Sequence, residues 1–164
     1  MARITLYLFS LFFIVTTVFA SSVSAAGCAY PVSTYVRVHN NTIQTLLIES
    51  HNVTYGYNKV YISGGIATNC PGGVIACIPS GEVAQFQMCA KPAFKSSKQK
   101  TAGSISLQGQ RDNQSYTIQY SSWESSGPLS DQPTGKTFLN GQECKGKATF
   151  WGNMKYTCSA SSSG

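Results

Sequence analysis

The sequence predicts an all-β fold, a single antiparallel β-sandwich cross-linked by disulfides. Three observations predict it. Short segments that alternate apolar and polar residues recur about every ten residues, separated by Gly, Pro, Asn and Ser. No long apolar stripe of helical period occurs after residue 26. All six cysteines follow an N-terminal leader, and an even number in an oxidising compartment implies a disulfide framework. A barrel built from the same strands fits the pattern equally well.

The elements follow in chain order. Met1-Ala2-Arg3 is short and basic, Ile4 to Ala20 is almost unbroken apolar sequence, and small residues such as Ser24-Ala25-Ala26 come next. That order predicts a cleaved signal peptide over 1–26. It leaves residues 27–158 for one sandwich domain and 159–164, small and polar, for a disordered tail. Thr34 to His39 alternates, with Val36 and Val38 on one face. Ile43 to Glu49 is mostly apolar and reads as a buried strand. Val60 to Ile62 and Val74 to Ile78 are short candidates, the second closed by Pro79-Ser80-Gly81. Glu82 to Cys89 points Ala84, Phe86 and Met88 one way and Gln85 and Gln87 the other. Ile105 and Leu107 are the inward pair of Ser104 to Gln108, and Tyr116, Ile118 and Tyr120 do the same in Ser115 to Tyr120. Phe138-Leu139-Asn140-Gly141 carries the Asn-Gly of a hairpin turn. Lys147 to Trp151 and Met154 to Cys158 read as a last hairpin around Gly152-Asn153. Lys91 to Thr101 and Ser121 to Gly135 are polar and read as long loops, where binding residues usually lie.

The cysteines are Cys28, Cys70, Cys77, Cys89, Cys144 and Cys158. Fifteen pairings are open. Cys70 and Cys77 flank a Pro-Gly-Gly turn, which favours a local bridge there. Neither a CxxC pair nor Cys/His ligand spacing occurs, so no metal site is expected. The sequons beginning at Asn40, Asn52 and Asn113 are candidate glycosylation sites on the surface of a secreted chain.

The net charge is +6, of which Arg3 in the leader supplies one. Only 11% of residues are charged, so the surface must be built largely of Ser, Thr, Asn, Gln and Tyr. That surface suits sugars and lipid headgroups, and the positive balance adds attraction to anionic membranes or cell walls. Secretion argues against a nucleic-acid partner.

Catalytic signatures are missing: no HExxH, GxSxG, phosphate-binding Gly loop or dinucleotide fingerprint occurs. His39 and His51, with Glu49 and Arg37 nearby, have no diagnostic nuclease spacing. The six carboxylates make too small a pool to motivate a glycosidase. No catalytic residue and no cofactor is therefore expected. Aromatic residues carry more information. Tyr55, Tyr57, Tyr116, Tyr120, Trp123, Trp151 and Tyr156 give a Tyr/Trp-rich domain, and such rings serve sugar stacking, membrane interfaces or core packing. The basic stretch Lys91, Lys95, Lys98 and Lys100 is a solvated loop or a contact for phosphate headgroups.

The order of segments from about Tyr35 to about Gly135 resembles that of the aegerolysins, small β-sandwich proteins that recognise membrane lipids. Val36-Arg37-Val38-His39-Asn40 stands where the family has a strand ending in Asn. Val53-Thr54-Tyr55-Gly56 follows where it has Trp-Gly, and Ile78-Pro79-Ser80-Gly81-Glu82 resembles its Ile-Pro-Pro-Gly turn. Met88-Cys89-Ala90-Lys91 and the strand Thr101 to Leu107 resemble its Cys-Gly-Arg segment and its Gly-Thr-x-Gly-x-Phe strand. Tyr120-Ser121-Ser122-Trp123 falls near its Trp-Asp-Cys-Pro-Trp loop, without the Cys or the second Trp. The sandwich also resembles actinoporin-like cytolysins. Either resemblance implies binding of sphingolipid or phospholipid headgroups, and the aegerolysin one implies a larger pore-forming partner protein. The lipid-binding residues expected on this basis are Tyr55, Tyr57, Tyr120 and Trp123 at the membrane face, with Lys91 and Lys95 near phosphates. A secreted carbohydrate-binding or host-interaction module is the alternative.

Overall fold

The computed structural model describes residues 33–90, 100–124, 133–149 and 153–162. The leader, Cys28, Lys91, Lys95, Lys98 and Trp151 lie outside these residues. Within them the protein is two β-sheets with a shared apolar interior. The first sheet has five strands in the order β10-β11-β1-β5-β3. They are β1 (Ser33–Asn40), β3 (Val60–Gly64), β5 (Val83–Cys89), β10 (Lys145–Ala148) and β11 (Asn153–Ala160). The second has six strands in the order β4-β2-β6-β7-β8-β9. They are β2 (Leu46–Tyr55), β4 (Cys77–Ile78), β6 (Lys100–Gly109), β7 (Ser115–Glu124), β8 (Pro133–Leu139) and β9 (Gln142–Glu143).

Period-two alternation decides what is inside. Val36, Val38, Phe86, Met88 and Tyr156 come in from the first sheet, and Leu46, Ile105, Leu107, Tyr116 and Ile118 from the second. The alternating positions turn Arg37, Gln85, Lys155 and Thr157 outward on one side and Ser104, Ser106 and Gln119 on the other. The Asn-Gly turn forms as expected: Asn140 and Gly141 have φ of 49° and 82°, the left-handed pair that a two-residue hairpin needs. The local Cys70–Cys77 bridge is present, and Cys144–Cys158 joins the start of the last hairpin to β11. Cys89 is disulfide-bonded as well.

Several expectations need correction. The sandwich is not wholly antiparallel. β1 and β11 run parallel, from Ser33 opposite Asn153 to Asn40 opposite Ala160. Alternation along a strand is the same for either direction, so the sequence pattern is blind to it. The tail does not begin at 159: Ser159 and Ala160 complete β11, and the Ala160 carbonyl accepts from the Asn41 amide at 2.9 Å. Ser121 to Trp123 is not loop but the end of β7, paired on both sides with β6 and β8. Serine-rich sequence looks like loop, yet Ser122 is buried with its hydroxyl 3.4 Å from that of Tyr156. The strand expected at 43–49 starts at Leu46, and that expected at 74–78 shrinks to Cys77–Ile78. Ile43 and Ile75 are left exposed in the preceding turns.

Candidate binding site at one end of the sandwich

β2 ends by crossing from the second sheet to the first. Tyr55 is its last residue, opposite Ala102 of β6. Gly56 then turns with φ of 118°, and a Cβ there would lie 2.7 Å from the Cys89 carbonyl oxygen. Only glycine combines that backbone angle with so close an approach. The Tyr57 amide donates to the same carbonyl at 3.0 Å, which fixes the crossing to the end of β5. Directly beneath, the hydroxyls of Thr34 and Thr101, both buried, bond to each other across the two sheets. The end of the sandwich is thus closed by backbone and hydroxyl contacts, and aromatic side chains are left standing on it.

Tyr55 is 54% exposed, Tyr57 38% and Trp123 37%. Trp123 sits at the end of β7, opposite Lys100 of β6 and Thr134 of β8. The Lys100 ammonium lies 4.3 Å from the centre of the Tyr55 ring, a cation–π contact worth about 0.5–1 kcal/mol at an exposed site. Lys100 therefore stands between Tyr55 and Trp123 and ties them into one patch. In sequence Lys100 is one of a run of lysines, and nothing local marks its contact with the Tyr55 ring. Position 100 faces the same side as Ala102, the register partner of Tyr55, and alternation is the feature of the sequence that could have shown it.

Of the expected membrane-face residues, Tyr55 and Trp123 come together about Lys100, and Tyr57 is exposed at the same end, two residues beyond Tyr55. Tyr120 does not join them. It is 3% exposed, on the inward face of β7 with Tyr116 and Ile118, because three positions from Trp123 is an odd step along a strand and reverses the face. Its hydroxyl is buried with no hydrogen-bond partner among the described residues, and burial pushes its pKa up to about 12. Tyr116 and Tyr156 are core residues too. Lys91 and Lys95 fall in the segment between β5 and β6 that lies outside the described residues.

The candidate glycosylation sites also separate. Asn52 and Asn113 are exposed, Asn113 at φ of 55° in a turn. Asn40 is buried. Its amide donates to the carbonyls of Gln44 at 2.7 Å and Ile78 at 2.8 Å, and its oxygen accepts from the Thr42 hydroxyl at 2.6 Å. A glycan on that nitrogen would break this network, so Asn40 is a structural residue of the 40–44 turn and not a glycan acceptor. His39 and His51 sit on different sheets, on β1 and β2.

The outer face of the second sheet beside the patch is neutral and polar over β2, β6 and β7, before Phe138, Lys136 and Glu143 at its far edge. Asn52, Ser104 and Gln119 form one row across it, and Ala102 and Ser121 the next, up to Lys136. Among the described residues no helix is long and apolar enough to cross a membrane. No family model matches this chain, and no curated protein matches it either, so the aegerolysin resemblance rests on its short motifs alone.

Proposed function

We propose that this chain is a secreted, cytolysin-like protein that binds membrane lipids through the end of its sandwich and has no catalytic activity. The observation that carries the proposal is the grouping of Tyr55, Tyr57, Trp123 and Lys100 on one rigid end. Tyr and Trp place an apolar body in the headgroup region and keep a polar edge in water. A lysine among them meets phosphate. The leader sequence and the disulfides support an extracellular site of action. Sphingolipid or phospholipid headgroups are the proposed ligands. Following the aegerolysin resemblance, haemolysis would need a larger pore-forming partner.

Co-sedimentation with vesicles tests this. The disulfide-intact protein is mixed with phosphatidylcholine vesicles, alone or with sphingomyelin or phosphatidylethanolamine. Lipid-selective binding is expected. Trp123→Ala should weaken it about tenfold, the effect of losing ~60 Å² of buried apolar area at about 25 cal/mol/Å². Absence of binding to every composition would sink the proposal. The neutral, hydroxyl-rich face beside Tyr55 favours a second reading, a neutral glycan stacked on the same rings. Retention on a glycan matrix that Trp123→Ala abolishes, with no vesicle binding, would establish that reading instead.

A further inference from the structure

The first sheet presents a different surface from the rest of the molecule. None of its strands, β1, β3, β5, β10 or β11, contains an Asp or a Glu. Its outer side carries Arg37, Lys145, Lys147 and Lys155, and Lys59 adjoins it just before β3. Those are five of the eight Lys and Arg residues in the described chain. Among the described residues the ion pair is Lys136 with Glu143 on the other sheet, so none of the five is neutralised by a carboxylate. Glu82 stays at the rim, against Gly65.

The register shows how these charges are spaced. One row across the sheet reads Lys147, Lys155, Tyr35, Gln87, Tyr61, and the next reads Lys145, Thr157, Arg37, Gln85, Ser63. Five strands about 4.8 Å apart spread each row over ~19 Å. The cations do not converge on a point, as they would for one phosphate. Lys147 stands directly opposite Lys155, Lys145 is two residues along β10, Arg37 is on the next strand beyond Thr157, and Lys59 is at the far edge. The cations thus form an elongated patch that hydroxyls and amides of Thr157, Gln85, Gln87 and Ser63 continue across the sheet. A groove of about 450 Å³ runs beside Arg37 and His39 and is lined by Ser63, Val83 and Gln85 as well. The Arg37 Nε donates to Gln85 at 3.1 Å, which holds the guanidinium in place at this groove.

We infer that this face is a second binding site, for a linear polyuronate, an acidic polysaccharide with a carboxylate on each sugar. The charge is complementary, and the neutral donors beside the cations match sugar hydroxyls. Arg37 offers the planar fork that carboxylates take. A membrane is a poorer occupant, because among the described residues the exposed large apolar ones, Ile43, Tyr55, Tyr57, Ile75 and Trp123, all lie outside the strands of this sheet. Nucleic acid is poorer too. Single strands need open aromatic platforms, whereas Tyr35 and Tyr61 are half-buried and each has a lysine ammonium over its ring, at 5.7 Å and 4.9 Å.

The inference does not depend on the lipid site, and different variants test it. Calorimetric titration of the disulfide-intact protein with an oligogalacturonate is compared with neutral dextran, an oligothymidylate of equal charge and anionic vesicles. Lys147→Gln/Lys155→Gln is compared with Arg111→Gln/Lys136→Gln, which removes the same charge away from the face. The face pair should weaken oligogalacturonate binding at least tenfold, since each lysine near an anionic surface is worth roughly a factor of five. The control pair should change it less than twofold, and dextran should not bind. Arg37→Gln, a single exposed change, provides a second variant with the same expected direction. Equal losses from the two pairs would mean attraction to net charge only and would overturn the inference. So would no binding of oligogalacturonate at low salt, or tighter binding of the oligothymidylate or the vesicles through this face.

Discussion

Tyr120 and Trp123 share β7 and face opposite ways, and the difference makes separate predictions. Trp123→Ala should cost only about 1 kcal/mol, because the ring is 37% exposed and partly packed, while removing the largest exposed ring of the patch. Tyr120→Ala should cost about 3–5 kcal/mol, as loss of a buried aromatic does. Urea unfolding of the two variants checks both. Tyr120 also sets a pH limit. Its hydroxyl is raised from 10 to about 12 by burial, so between these values the unfolded chain loses a proton that the folded chain keeps. Stability is therefore full below pH 10 and falls as pH rises through the folded value, at no more than about 1.4 kcal/mol per pH unit for one group. Denaturant melts from pH 8 to 11.5 should show the decline beginning near 10, and Tyr120→Phe should lessen it. Asn40 behaves as a residue of the core. Its four hydrogen bonds, to Gln44, Ile78 and Thr42, predict a loss of about 2–4 kcal/mol in Asn40→Ala. Peptide mass spectrometry of the folded protein should find it without a glycan.

At the scale of elements, the alternating strands were legible and the boundaries were not. Val36/Val38, Ala84/Phe86/Met88 and Ile105/Leu107 declare their faces in sequence and keep them in the fold. The Ser121-Ser122 step does not, because its strand character comes from neighbours on both sides rather than from its own residues. Ile43 misleads in the opposite direction: an apolar residue in an apolar run, it is turned out by the Asn40 hydrogen bonds that form the turn before β2. The parallel β1–β11 pair joins residues 120 apart, as in Ser33 and Asn153. No local sequence feature specifies such a contact. It yields a prediction where the chain looked like tail. Ending the chain after Cys158 removes Ser159 and Ala160 from β11 and the Asn41 bond, and should lower stability by about 1–2 kcal/mol. Ending it after Ser162 should change nothing measurable in the same melt.

At the scale of the molecule, two sheets with one interior display three distinct surfaces: an aromatic end, a neutral face and a basic face. The aromatic end was half visible in the sequence. Tyr55, Tyr57 and Trp123 were picked out by type, but residue type alone could not separate them from Tyr120, nor place Lys100 over the Tyr55 ring. The basic face was invisible, because its cations come from β1, β10, β11 and the approach to β3, spread from position 37 to 155. The proposed lipid binding requires that the aromatic end enter the membrane interface. Fluorescence of Trp123 in a Trp151→Phe background tests it most directly, with vesicles containing brominated lipid. A blue-shifted emission that brominated chains quench and that Lys100→Glu weakens is expected. Vesicle binding with Trp123 emission unshifted and unquenched would contradict entry by this end, since the protein would then be meeting the membrane by another face.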